Sequence, residues 1–187
     1  MINMTINVYS YAFNSPVGYI GAAEEDGALT RIFFNMTMEA LENGDDGRLS
    51  PYRAALGLKR AYAIRESDGL KRAASQLSEY FNGTRAAFEL NYAVKGAPFA
   101  KSVYEALTRI PIGETRSYKD IAAACGNPKA SRAVGMINAR NPLPFIIPCH
   151  RVVGSDGALT GYAGGLPIKQ YLLGLEKTFY SNKTEAY

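Results

Sequence analysis

An apolar run, Leu143-Pro144-Phe145-Ile146-Ile147, ends in Pro148 and is followed at once by Cys149-His150-Arg151. One of the chain's two cysteines therefore stands directly beside its only histidine. A thiol reacts as its thiolate and is mostly protonated at neutral pH, so a reactive cysteine needs a base or a positive field close by. For an isolated Cys-His pair the bland reading is a small buried cysteine next to a hydrogen-bonded histidine. The flanks argue otherwise. A short β-like run that stops at proline delivers Cys-His-Arg to a connection, and two glycine clusters follow, Gly154-Ser155-Asp156-Gly157 and Gly161-Tyr162-Ala163-Gly164-Gly165. Glycine lets backbone approach a ligand closely and takes up positive φ. The stretch reads as a pocket wall.

With 187 residues, 47% of them hydrophobic, the chain has enough apolar material for one domain or two small ones. No run is long enough to cross a bilayer, and the N-terminus lacks the basic-then-apolar layout of an export signal. A cytoplasmic location (nuclear in a eukaryote), reduced thiols and no membrane partner are expected. One histidine without a cysteine cluster argues against a zinc site, and no metal or cofactor is expected. Charge is unevenly spread. Residues 1–96 carry ten Lys/Arg against eleven Asp/Glu, and residues 97–187 carry eleven against six. The basic half, which holds Cys149, suits a polyanionic partner.

In chain order, residues 4–13 alternate polar and apolar as a half-buried strand does. Ser15-Pro16-Val17-Gly18 reads as a turn. Tyr19–Ala23 and Leu29–Phe34 read as strands joined through Glu25-Asp26-Gly27, a hairpin signal. Residues 37–58 read as two short helical patches around the acidic loop Asn43-Gly44-Asp45-Asp46-Gly47. From Leu70 to Asn82 the spacing predicts an amphipathic helix, with Leu70, Ala73, Ala74, Leu77, Tyr80 and Phe81 on one side and Asn82-Gly83 as its stop. Phe88–Tyr92 alternates again and reads as one more strand. Val94-Lys95-Gly96-Ala97-Pro98 is the expected boundary between an N-terminal α+β domain, 1–96, and a mostly helical C-terminal domain, 97–187.

In the second half, Phe99–Arg109 reads as a helix ended by Ile110-Pro111-Ile112-Gly113. Ser117 caps a helix from Tyr118 to Cys125, and Asn127, with Pro128 at the first helical position, caps another running to Arg140. Cys125 reads as a small core residue. Two short helices joined by a glycine-containing turn fit a helix-turn-helix, or an ordinary helical hairpin. Lys129, Ser131 and Arg132 in the first turns of the second helix, with the small residues Ala130, Ala133 and Gly135, favour the DNA-binding version. Lys129 and the helix N-terminus suit phosphates, and Arg132 is placed to enter a duplex.

Gly113-Glu114-Thr115-Arg116-Ser117-Tyr118, Asn127-Pro128-Lys129-Ala130-Ser131-Arg132-Ala133-Val134-Gly135, Asn141-Pro142, Ile147-Pro148-Cys149-His150-Arg151-Val152-Val153 and Gly161-Tyr162-Ala163-Gly164-Gly165 occur in this order. Together they resemble the O6-alkylguanine-DNA alkyltransferases, the methylated-DNA–protein-cysteine methyltransferases. The resemblance is dense from Phe99 to Glu176 and looser before it. It implies an α+β fold: a ribonuclease H-like N-terminal domain with a small antiparallel sheet plus helix, and a helical domain with a helix-turn-helix.

The resemblance also implies roles. Cys149 would take the alkyl group from guanine O6 and keep it as a thioether. His150 would be its base through a water, with Glu176 fixing the histidine tautomer; apart from the family, Glu176 reads as a surface helix residue. Asn141 would brace the turn, and Tyr118 would bond the flipped guanine and give it a proton. Arg132 would replace the extruded nucleotide in the stack, while Lys129, Ser131, Ala130, Ala133 and Arg151 would meet DNA. Val152, Tyr162 and Ala163 would line the base pocket, Ala163 through its amide because relatives often carry serine there. Tyr104 stands where relatives frequently carry Trp. The implied partner is double-stranded DNA containing O6-alkylguanine, bound through the minor groove by a monomer. Two other readings stand beside this one: a lesion-binding relative without transfer, which the presence of Cys149 disfavours, and a cysteine hydrolase, which would leave the helix-turn-helix unexplained. The polar tail from Lys177 to Tyr187 is expected to be loosely ordered.

Overall fold

The computed structural model describes residues 7–11, 17–18, 20–34, 63–64 and 67–184, with side chains for 17–18, 20–34 and 67–179. The expected helical patches and acidic loop of residues 37–58 lie outside them. The chain divides into two compact units, residues 1–78 with 89–93, and residues 79–88 with 94–187.

In the first unit Asp26 and Gly27 both take positive φ, 53° and 74°, the pattern of a tight turn whose twist matches its strands. They join β2 (Ile20–Glu25) to β3 (Ala28–Phe34) in antiparallel register, with a bulge at Ala23/Glu24. Strand β1 (Asn7–Tyr11) pairs antiparallel with β2, and β4 (Ala63–Ile64) adds a parallel edge, giving the order β3-β2-β1-β4. Helix α1 (Asp68–Phe81) starts at Ser67, whose Oγ accepts from Leu70 N–H at 3.1 Å and donates to the buried Glu24 carboxylate at 2.9 Å. A methyl group on Gly69 would meet that carboxylate, so a larger residue there would displace the Glu24 side chain from its bond to Ser67. The predicted apolar side of α1 is buried throughout. The expected strand at Phe88–Tyr92 reduces to one bridge, Leu29 to Tyr92. Its backbone is instead held by a side chain: Gln76 donates to Glu89 O at 3.2 Å and accepts from Glu89 N–H at 2.8 Å.

The second unit begins with the last turn of α1, which Gly83 ends at φ 77°. Helix α2 (Pro98–Thr108) buries Val103, Tyr104 and Leu107. Strand β5 (Arg116–Ser117) leads into α3 (Tyr118–Ala124), where Ser117 and Asp120 form a reciprocal cap: Asp120 N–H to Ser117 Oγ at 3.1 Å and Ser117 N–H to Asp120 Oδ2 at 2.9 Å. Gly126, at φ 75°, ends α3, with Gly126 N–H on Ala123 O and Asn127 N–H on Ala122 O. Cys125 is half-buried at this end rather than in the core.

Helix α4 (Ser131–Ala139) starts later than expected. Asn127 closes the preceding helix, and a turn with Ala130 N–H on Asn127 O at 2.9 Å intervenes, so neither Asn127 nor Pro128 begins α4 and Lys129 precedes it. Leu143–Ile147 is not β-like either. It is a buried turn in which Phe145 takes φ 73°, and Ile147 N–H reaches back to Leu143 O at 2.8 Å. A left-handed non-glycine residue costs about 1–2 kcal/mol. Phe145 is held there by ring packing on Phe81 and Tyr80, at 5.2 and 6.3 Å. A 3-10 turn (Cys149–Arg151) follows, then β6 (Val152–Val153), parallel to β5. Helix α5 (Leu166–Thr184) continues past the expected loose tail at Lys177. Among the described residues no helix is long and apolar enough to cross a membrane.

Candidate active site

The β5–β6 pairing ties the Ser117 cap of α3 to the end of the Cys-His-Arg turn, so helix and nucleophile share one support. Cys149 opens that turn, 4% exposed. Asn141 braces it from one amide: Nδ2 donates to Ile147 O at 2.7 Å and to Cys149 Sγ at 3.0 Å, while Oδ1 accepts from Leu143 N–H at 3.0 Å. Asn138 Nδ2 donates to Cys149 O at 3.3 Å. Burial pushes the thiol up to about 11, and the Asn141 bond offsets only part of that. Cys149 therefore rests as a thiol and needs a base.

His150 is wholly buried, with Nε2 2.8 Å from Glu176 Oε1 and Nδ1 without a partner among the described residues. Glu176 accepts at Nε2, which places the ring proton there and leaves the Nδ1 lone pair free. Burial holds His150 below its ordinary range, against the pull of Glu176. The inward face of α5 carries Lys169, Leu172 and Glu176, all fully buried. Burial alone would raise the Glu176 carboxyl, but bonds and charge from His150 and Arg151 bring it down to about 2.

Arg151 corrects the expectation of a DNA contact. It is buried, with Nε on Glu176 Oε2 at 2.8 Å, Nη2 on Oε1 at 2.9 Å and Nη1 on Ile110 O at 2.6 Å. Tyr80 OH also donates to Glu176 Oε1, at 2.7 Å, and Gly113 N–H approaches Oε2 at 3.4 Å. A lone carboxylate in apolar surroundings must collect such donors.

Beside this cluster lies a cleft of about 580 Å³. Tyr118, Ser131, Arg132, Tyr162 and Ala163, all singled out in sequence, line it together with Gly135, Ala139, Thr160 and Gly161. Thr160 Oγ1 donates to Tyr118 OH at 3.3 Å, and the Tyr162 ring meets His150 edge-on at 6.4 Å. Val152 does not line the cleft. It is fully buried, and its carbonyl accepts from Lys169 Nζ at 2.5 Å. Lys129, Ala130 and Ala133 also lie outside the lining.

Sequence reading missed Lys169 and Tyr80. The lysine ammonium donates to Val152 O and, at 2.8 Å, to Thr160 O, joining the nucleophile turn to the glycine-rich segment. Its spacing of three and seven residues from Leu172 and Glu176 was the available signal. For Tyr80 the signal was a phenol on an apolar stripe, whose hydroxyl needs a partner when buried.

Comparison with known proteins matches residues 7–93 to the 6-O-methylguanine DNA methyltransferase ribonuclease-like domain and residues 98–178 to the DNA-binding domain of the same family. The constitutive methylated-DNA–protein-cysteine methyltransferase of Bacillus subtilis is 42% identical over 184 residues, 95% of this chain and 100% of that protein. The Methanosarcina acetivorans methylated-DNA–protein-cysteine methyltransferase is 41% identical over 90% of this chain and 98% of its own length. Among solved structures, Mycobacterium tuberculosis OGT in complex with DNA aligns with a TM-score of 0.75 and 34% identity, covering 92% of this chain and 94% of that one. The α+β fold, with its ribonuclease-like first part and DNA-binding second part, is thereby established.

Proposed function

Because this chain belongs to the 6-O-methylguanine-DNA methyltransferases, a family of DNA-repair alkyltransferases, we propose that it transfers the alkyl group of O6-alkylguanine in duplex DNA to its own Cys149, once per molecule. The observation that carries this reading is the Cys149-His150 turn with Glu176 bound at Nε2, which leaves Nδ1 as the acceptor. His150 Nδ1 takes the Cys149 proton through a water. The thiolate attacks the alkyl carbon in line; the new C–S bond forms as the C–O bond breaks, and its electron pair goes to the guanine. Tyr118 OH, at the cleft, supplies the proton that neutralises the departing base. The Glu176 carboxylate, held in place by Arg151, stabilises the imidazolium meanwhile.

An alkyl carbon at O6 within a stacked duplex is out of reach of a thiolate, so the nucleotide must leave the stack, at a cost of about a few kcal/mol. Arg132, exposed at the cleft rim on α4, is suited to fill the gap. Small residues along α4 suit docking in a minor groove with little base reading. The same chemistry at an exocyclic oxygen extends the reading to O4-alkylthymine. A thioether is stable, so nothing regenerates the thiol.

The test is intact mass after incubation with duplex DNA carrying O6-methylguanine, beside Cys149→Ser. One methyl per wild-type chain, saturating there and absent in the variant, supports the reading. Lesion binding without a mass gain would replace it with a recognition role. Continuous turnover would replace it with a hydrolase.

A further inference from the structure

Glu176 Oε1 receives three donors: Tyr80 OH at 2.7 Å, His150 Nε2 at 2.8 Å and Arg151 Nη2 at 2.9 Å. Tyr80 makes the shortest of these contacts, is 0% exposed, and is enclosed by the rings of Phe81, Phe88 and Phe145 at 5.4, 5.5 and 6.3 Å. A packing aromatic would have been served by phenylalanine. A buried hydroxyl aimed at the carboxylate that contacts the histidine acts on that carboxylate.

We propose that Tyr80 is a positioning residue for alkyl transfer, which by sharing Glu176 Oε1 sets how much of the carboxylate's charge reaches the His150 ring. The inference rests on the reading of His150 as the base. Burial first, then the Glu176 charge, hold the phenol well above its ordinary range, so it stays protonated and is always the donor. The sign of its effect follows from competition. With His150 neutral, the full carboxylate charge strengthens the Tyr80 bond; with His150 protonated, the imidazolium takes part of that charge and the bond weakens. The phenol therefore favours the neutral ring, the form able to accept a proton. The other groups facing this pair are Arg151 and Cys149 from the same turn, Lys169 on α5 and Tyr162. None of these side chains supplies a second neutral donor to Oε1. Tyr80 also lies outside residues 98–178, so a fragment limited to the DNA-binding domain would lack it.

His150 is the only histidine in the 187-residue chain, so its ring signals there are unambiguous. The test is a ¹⁵N-ring NMR titration, without DNA, of wild type, Tyr80→Phe and a protein carrying 3-fluorotyrosine at position 80. Loss of the donor is expected to raise the His150 midpoint by about half a pH unit or more, and the stronger fluorinated donor, isosteric with the native ring, to lower it. A purely structural phenol would leave the midpoint where it is. Midpoints that coincide with wild type in the variants that fold, or a fall for Tyr80→Phe or a rise for the fluorinated protein, overturn the proposal. Because no DNA is present, this outcome is independent of whether Cys149 is alkylated.

Discussion

The Arg151 guanidinium grips the Glu176 carboxylate at both oxygens, Nε to Oε2 at 2.8 Å and Nη2 to Oε1 at 2.9 Å, with both side chains buried. This two-point pair holds Glu176 against His150, and it accounts for an arginine that belongs to the interior and not to DNA.

Removing one member of a buried pair leaves an unpaired charge and costs about 3–5 kcal/mol. Arg151→Met is therefore expected to lower the unfolding free energy by about that amount, read as a lower urea midpoint at unchanged m. Arg151→Lys, which cannot span both oxygens, is expected to fall between them. The salt dependence of duplex binding by Arg151→Lys should match wild type. A shallower salt slope for that variant would return Arg151 to the DNA surface.

Stability should decline on both sides of neutrality, for different groups. The Glu176 carboxyl is held at about 2 against an ordinary 4.5, so its contribution is complete above 4.5 and is lost as pH falls toward 2. His150 is held below 6.5, so the unfolded chain takes up a proton first and stability already begins to fall below that value. Cys149 is raised to about 11 from 9.0; the unfolded thiol ionises first, and stability falls as pH rises from 9 to 11. A gap of that size corresponds to about 3 kcal/mol at most. Denaturant midpoints measured from pH 3 to 11 check the pattern. Cys149→Ala should abolish the loss that sets in at pH 9 and leave the later loss from the buried phenols Tyr80 and Tyr162. An unchanged alkaline limb in that variant contradicts the burial of a protonated thiol.

Lys169 gives a third test. Its ammonium satisfies two carbonyls from separate segments, Val152 O and Thr160 O. Lys169→Met keeps the apolar stem and removes the donors, and each carbonyl left without one costs about 1–3 kcal/mol. Amide exchange across 154–165 should quicken in the variant while exchange in α2 stays slow. Methyl transfer should slow with it, because the cleft wall at Gly161–Ala163 hangs from that segment. Unchanged exchange there would mean the wall is held by other contacts.

What could be read in advance was local. The Ser117 cap, the Gly126 stop and the Asp26-Gly27 turn each rest on residues within a few positions of one another, so sequence spacing encodes them; the return bond from Asp120 was added by the structure. The α1 stripe was legible for the same reason. The buried polar cluster was not. Glu176 finds its donors 25, 26 and 96 residues away, in Arg151, His150 and Tyr80, and without those partners a glutamate on a helix reads as solvated. Phe145 fails in the opposite direction: a β-branched neighbour run suggests extended backbone, whereas packing on Phe81 and Tyr80 holds its left-handed φ. The displaced start of α4 has a local cause that spacing could not rank. Asn127 carries both a capping side chain and the amide that closes α3, and the second use prevails. Family motifs supplied the roles of Glu176 and Asn141; residue patterns alone did not.

The last test separates extrusion from chemistry. Arg132 stands exposed on α4 at the rim of the cleft, whereas Tyr118 lines it beside Thr160. If Arg132 occupies the space left by the nucleotide, its loss matters only when there is a stack to enter. Arg132→Ala is then expected to slow transfer from duplex DNA by about tenfold or more, in line with the few kcal/mol of unstacking, and to leave transfer from free O6-methylguanine base unchanged. Tyr118→Phe, which removes the proton donor, should slow both substrates, by about 10²-fold for a lost general acid. Lys129→Ala, on the turn before α4, should weaken duplex binding and reduce its salt slope by about one without touching the free-base rate. Single-turnover rates on the two substrates, read by mass, decide it. Equal losses on both substrates for Arg132→Ala would place that arginine in the chemistry of the cleft and leave extrusion to another group.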